Sequence, residues 1–93
     1  MPSLIATVRV QPAKVEDARS FFKELGTQVR RDEPGTQAYV IHQKKDEPAT
    51  FVVYEKYESD AAFKAHQKNL AKAAAGFGSL LAGAPELLML EEI

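Results

Sequence analysis

The sequence predicts an α+β fold, a four-stranded antiparallel sheet with two helices on one face, in the order βαββαβ. Three observations carry this expectation. Strand-like runs open and close the chain, at residues 4–10 and 86–91. An amphipathic stretch of about 18 residues follows the first run. In the middle, two further runs, 36–44 and 50–57, are separated only by Lys45-Asp46-Glu47-Pro48-Ala49, a polar loop short enough to make an antiparallel hairpin.

Leu4 to Val10 is rich in β-branched residues and ends at Gln11-Pro12, as a first strand and its exit turn should. From about residue 14, Val15, Ala18, Phe22, Leu25 and Val29 recur at helical spacing, with Lys14, Glu16, Asp17, Lys23 and Glu24 on the polar side. Gly26 weakens that helix by about 1 kcal/mol relative to Ala, and Pro34-Gly35 ends it. A second helix starts after Ser59, capped by Ser59 or Asp60. Its capping box is incomplete, because Ala62 stands where Glu or Gln would answer Ser59. Gly76 and Gly78 break or end this helix, and Ala82-Gly83-Ala84-Pro85 turns the chain into the last strand. Four strands and two helices in this order make a ferredoxin-like split βαβ arrangement. No repeat, linker or low-complexity segment marks a second domain, so residues 1–93 read as one.

The apolar pattern of the sheet carries a further expectation. A sheet with one face in water should alternate apolar and polar residues. Here Phe51, Val53 and Tyr57 point one way and Val52 and Tyr54 the other, while Leu87-Leu88-Met89-Leu90 runs without a break. Two helices cover only one face. A second copy of the sheet is the simplest cover for the other, which predicts a homodimer closing a barrel-like interface.

Composition excludes several classes of function. Twelve Lys and Arg against 13 Asp and Glu, a net charge of -1, give no electrostatic case for nucleic acid or an anionic membrane. The absence of Cys removes disulfides, thiolate catalysis and Cys-ligated metal sites, and fits a reducing compartment. Met1-Pro2-Ser3-Leu4-Ile5 is not a basic segment leading into a long apolar one, so a soluble cytoplasmic protein is expected. Two histidines without a spacing such as His-x-x-x-His do not suggest a metal site. Gly76-Phe77-Gly78 lacks the further residues of a phosphate-binding loop. Arg30-Arg31 and Lys44-Lys45, compensated by Asp32, Glu33, Asp46 and Glu47, read as solvated faces.

The residues that can carry chemistry are His66 and Glu55. On a helical wheel of about 100° per residue, Phe63, His66, Leu70, Ala74 and Phe77 share one half of the second helix, while Lys64, Lys68 and Lys72 fall on the other. His66 therefore faces the sheet. Such an imidazole is either a core histidine bonded to a backbone carbonyl or Glu55, or a general base. Glu55 shares a strand face with Phe51, Val53 and Tyr57, where a carboxylate needs a partner. That partner is His66, in which case the carboxylate orients a base, or else Lys56, an arginine or a donor across a subunit interface. Tyr39, Tyr54 and Tyr57 either pack or present hydroxyls to a pocket. His42 lies near the open end of the hairpin, at solvent or a subunit edge.

Taken together, Glu33-Pro34-Gly35, Tyr39, Phe51, Glu55, Tyr57, Ala62-Phe63 and His66 resemble the antibiotic-biosynthesis monooxygenase (ABM) family of small dimeric α/β-barrel proteins, over nearly the whole chain. The resemblance implies a ferredoxin-like subunit, sheet-to-sheet dimerisation and a pocket between sheet and helices. In members that oxidise quinols or anthrones it implies no flavin, haem or metal: an acidic phenol or carbon acid is deprotonated and its anion reacts with dioxygen. Carried over, His66 would be the base or a hydroxyl-binding group, Glu55 would orient it, and Tyr39 and Tyr57 would line the cavity. Phe51, Phe63 and Phe77 complete the candidate substrate-binding set. Two departures stand out. Relatives similar to quinol monooxygenases and to the phospho-autoinducer isomerase often have a second histidine where this chain has Ala71, and the Trp of the haem-degrading branch is missing.

The expected activity is cofactor-independent oxygenation of a small phenolic or quinol-like substrate. A proton-transfer isomerase acting on a small carbonyl compound would use the same base. A dimeric ligand-binding or stress-linked protein without turnover is the third reading.

Overall fold

The computed structural model describes residues 1–93, the side chain of Ala74 excepted, so the position of Ala74 on the helical stripe lies outside the described residues. Strand β1 spans Pro2–Arg9, helix α1 Val15–Asp32, β2 Thr36–Gln43, β3 Thr50–Tyr57, α2 Asp60–Ala71, α3 Ala74–Gly78 and β4 Glu86–Glu91, with one 3-10 turn at Pro12–Lys14. The sheet order is β2-β3-β1-β4 and every neighbouring pair is antiparallel. This is the expected ferredoxin-like α+β arrangement, and the single sheet is not closed.

Helix α1 buries Ala18, Phe22, Leu25, Gly26 and Val29, with Val15 half-buried beside them. Glu16 and Asp17 lie in its first turn and Arg30 and Arg31 in its last, the favourable polarity for the helix dipole. Pro34 disfavours the helical conformation at the residue before it. Glu33 accordingly leaves the helix at φ -122°, ψ 79°, although its N–H still donates to the Val29 carbonyl at 3.0 Å.

Ser59 is the cap of α2: its Oγ accepts from the Ala62 N–H at 3.1 Å. The expectation that Gly76 or Gly78 breaks this helix needs correction, since α2 ends at Ala71 and both glycines belong to the separate helix α3. The Lys72 and Ala73 N–H groups donate three residues back, to Asn69 and Leu70, and this tightened turn redirects the chain. After it, Phe77 stacks on Phe21 at 5.6 Å and meets Phe22 edge-on at 6.1 Å, an aromatic contact between α3 and α1.

Two local features place the site. Pairing passes from Thr36↔Tyr57 to Ala38↔Lys56, leaving Gln37 as the extra residue of a bulge. Thr36 and Tyr39, three residues apart, therefore both reach the helix side of the sheet. Gly35 allows the start of β2 to press against α2: a Cβ there would sit 2.7 Å from the Ala62 Cβ, and the Gly35 carbonyl accepts from the Glu58 N–H at 2.9 Å.

The helix-facing side of the sheet is the core, with Leu4, Ala6, Val8, Phe51, Val53 and Tyr57 all buried. The other side carries Ile5, Val40, Val52, Tyr54, Leu88 and Leu90 with no helix over it. On β4 the opening is wider than expected: Leu87 and Met89, on the helix side, are 54% and 53% exposed, because the helices do not extend over this edge.

Gly35→Ala should destabilise the fold by about 1–3 kcal/mol, since the Ala62 Cβ is held by helix backbone and cannot yield as a flexible side chain would. Gly78→Ala, where an added Cβ meets nothing within 4 Å, should be neutral or stabilising. Urea denaturation midpoints of the two variants check the contrast.

Candidate active site

The site forms where the C-terminus of α1, the middle of α2 and strands β2 and β3 converge. His66 is the buried residue of α2, 3% exposed. Its Nδ1 lies 2.8 Å from Glu33 Oε1. A carboxylate oxygen only accepts, so this contact makes Nδ1–H the donor and leaves the lone pair of the neutral ring on Nε2. Glu33 Oε1 also accepts from Thr36 Oγ1 at 3.3 Å, and the Glu33 side chain is only 11% exposed.

On the other side of the ring, Nε2 lies 3.9 Å from Glu55 Oε1, beyond hydrogen-bond reach. The direct partner of Glu55 is Tyr57, whose hydroxyl donates to Oε1 at 2.5 Å. The expected Glu55–His66 pair is thus a juxtaposition, and Glu33 is the carboxylate that orients the imidazole. The separation has chemical content: one hydroxyl oxygen can stand about 2.8 Å from both Nε2 and Oε1.

Burial raises the pKa of the Glu55 carboxyl above its ordinary 4.5, and the Tyr57 hydroxyl and His66 offset this only in part. Burial, with the charge of Glu55, also drives the Tyr39 and Tyr57 hydroxyls far above the ordinary range, so both remain protonated donors. The ring of Tyr39 lies 5.0 Å from that of His66, and the Tyr57 ring lies 5.6 Å away.

A cavity of about 170 Å³ opens beside this cluster, between helices and sheet. His66, Glu55, Tyr39, Phe63 and Phe77 line it, as does Leu70. Tyr57 lies behind the lining, fully buried against Phe63, and Phe51 packs on Phe22 at 4.9 Å without reaching the cavity wall. A wider groove of about 950 Å³ runs along the outside of α1 and β2, away from His66 and both glutamates. Among the described residues no group of three or more His, Asp or Glu side chains is placed to hold a metal ion, and no helix is long and apolar enough to cross a membrane.

Glu33 is the residue that sequence patterning misses, because next to Arg30-Arg31 and Asp32 it reads as one more solvated charge. The signal lay in Pro34, which takes Glu33 out of the helical path and off the charged surface.

A ferredoxin-like subunit with an imidazole between two carboxylates at an apolar cavity defines a class of small α+β proteins with a buried histidine–carboxylate cluster under the helices. The family model described as antibiotic biosynthesis monooxygenase matches residues 1–75, and the chain belongs to that family. Family membership gives it a monooxygenase-like function in general terms. Among solved structures, the chain is similar to a candidate antibiotic biosynthesis monooxygenase from Caulobacter crescentus, with 33% identity, a TM-score of 0.91 and coverage of 99% of this chain and 89% of that one. It is also similar to PA3566 from Pseudomonas aeruginosa, with 26% identity, a TM-score of 0.87 and coverage of 99% and 93%. A candidate antibiotic biosynthesis monooxygenase from Nitrosomonas europaea, 23% identical with a TM-score of 0.84 over 100% of this chain and 99% of that one, shares the fold. A search of curated proteins returned no match.

The raised pKa of Glu55 sets a pH dependence. The folded state holds this proton more tightly than the unfolded chain, so the contribution of Glu55 to stability is full below about pH 4.5 and declines as pH rises through its folded pKa. Glu55→Gln, which still accepts from Tyr57, should remove that decline. Thermal unfolding of both proteins between pH 4 and pH 8 checks it.

Proposed function

We propose that the protein is a cofactor-independent monooxygenase acting on a small phenolic or quinol-like substrate, with Nε2 of His66 as the base. The observation that supports it most is the 2.8 Å contact between His66 Nδ1 and Glu33, which turns the unprotonated nitrogen toward Glu55 and the cavity. A phenol hydroxyl placed between Nε2 and Glu55 gives its proton to Nε2. Glu33 then balances the imidazolium, in the manner of a carboxylate behind a catalytic histidine.

The phenolate is the electron donor. It reduces dioxygen, a ring carbon forms a bond to one oxygen atom, and the O–O bond breaks. The ring C–H becomes C–OH, the two original C–OH carbons become C=O, and the second oxygen atom leaves as water. A hydroquinone thus gives a hydroxyquinone and water, and the substrate supplies all the electrons. Tyr39, with its pKa raised, stays a neutral donor beside the ring, and Phe63 and Phe77 supply apolar walls.

The proposed assembly is a homodimer in which the uncovered faces of two sheets pack together. Val40 and Tyr54, 48% and 36% exposed, and the apolar run of β4 form a patch of the kind that soluble monomers rarely leave open.

Oxygen-electrode assays of metal-free protein with hydroquinones should show uptake that falls by about 10²–10⁴-fold in His66→Ala and in the better-filling His66→Gln. Unchanged uptake in both variants removes His66 from the reaction, and isomerisation without oxygen consumption would move the activity to proton transfer alone. In sedimentation at micromolar concentration the wild type should run as two chains and Leu88→Glu as one. A folded wild-type monomer would contradict the dimer.

A further inference from the structure

We infer that the cavity beside His66 selects an uncharged phenol with a single aromatic ring. The inference deepens the proposed function and rests on its reading of His66 as the group that binds the substrate hydroxyl. Its first support is size. The cavity holds about 170 Å³, close to an apolar protein cavity of about 150 Å³ that accommodates one benzene, and well below the roughly 300 Å³ at which pockets for larger ligands begin.

The second support is the distribution of polar groups. Tyr39 and Glu55 are cross-strand partners, and His66 lies against both, so these three polar side chains occupy one wall. Much of the remaining lining is aliphatic or aromatic. A ligand that fits anchors one hydroxyl at this wall and presents its ring to the rest, where Gln67 is the one further polar side chain among the described residues.

Charge is the third. Among the described residues no Lys or Arg lines the cavity, while Glu55, 6% exposed, does. A carboxylate or phosphate on the ring would enter an apolar space beside the Glu55 carboxylate with no lysine or arginine to meet it, and burying an uncompensated charge is strongly unfavourable. This also argues against a phosphorylated substrate for the same site.

Phe77 forms a braced part of the cavity wall. Its ring is stacked parallel to Phe21 within 9° and abuts Phe22, which in turn packs on Phe51, so the wall it forms is braced by three further aromatic rings. A second fused ring exceeds the volume this wall leaves and would have to displace part of the lining.

The test is binding under anaerobic conditions, where no turnover occurs, followed by NMR or calorimetry with hydroquinone, 1,4-naphthalenediol and 2,5-dihydroxybenzoate. Hydroquinone should bind at least about tenfold more tightly than either of the others. Phe77→Ala should bring naphthalenediol to within about threefold of hydroquinone while leaving dihydroxybenzoate weak. Leu70→Ala, which widens the cavity from α2 without disturbing the aromatic block, should shift selectivity in the same direction and serves if Phe77→Ala does not fold. Equal binding of the bicyclic or carboxylated probe by the wild type overturns the inference, as does failure of hydroquinone to bind. Selective hydroquinone binding without oxygen uptake in air leaves the selectivity standing and overturns the oxygenase reading instead.

Discussion

The contact between Glu33 and His66 is the interaction on which the rest of the site depends. It joins the end of α1 to the middle of α2, two elements otherwise linked mainly through the sheet. It is buried, so each partner would be left with an unmatched polar group without the other. It also determines which nitrogen of the imidazole carries the proton. Neither helix accomplishes this alone: Glu33 is in position because Pro34 ends the helical path, and α2 is close enough because Gly35 has no side chain for Ala62 to meet. The Glu-Pro-Gly turn is therefore a part of the site as well as a helix stop.

Around that contact the polar side chains form a chain of defined roles. Thr36 donates to Glu33, Glu33 accepts from His66, and Tyr57 donates to Glu55. No buried side-chain nitrogen or oxygen among the described residues lacks a partner. A satisfied network of this kind is rigid. In consequence the open positions, Nε2 of His66 and the free acceptor capacity of Glu55, face a common space.

The fold was legible in the sequence because its signals are local. The β-branched and aromatic run of β3, helical spacing from Val15 to Val29, the Ser59 cap and the short hairpin loop each depend on neighbouring residues. His66 was legible for the same reason, since its place on the stripe with Phe63 and Leu70 follows from helical spacing. What remained hidden depended on tertiary geometry. The bulge at Gln37 leaves no mark in a pattern of mixed polarity, yet it brings Thr36 and Tyr39 to one side. The partner of Glu55 lay two residues away on its own strand, on a Tyr that reads as packing. The break before α3 is followed by the aromatic contact between Phe77 and α1, a tertiary contact that no residue at positions 72–73 announces.

Leu87 belongs to two structures at once. It lines the cavity next to His66, and it sits on β4, whose faces are both open. A body that packs over β4 on that side changes the mouth of the cavity. By thermodynamic reciprocity, a ligand that fills the cavity changes the affinity for that body by the same factor. Ligand occupancy and the covering of that edge of the sheet would thus be coupled through one leucine.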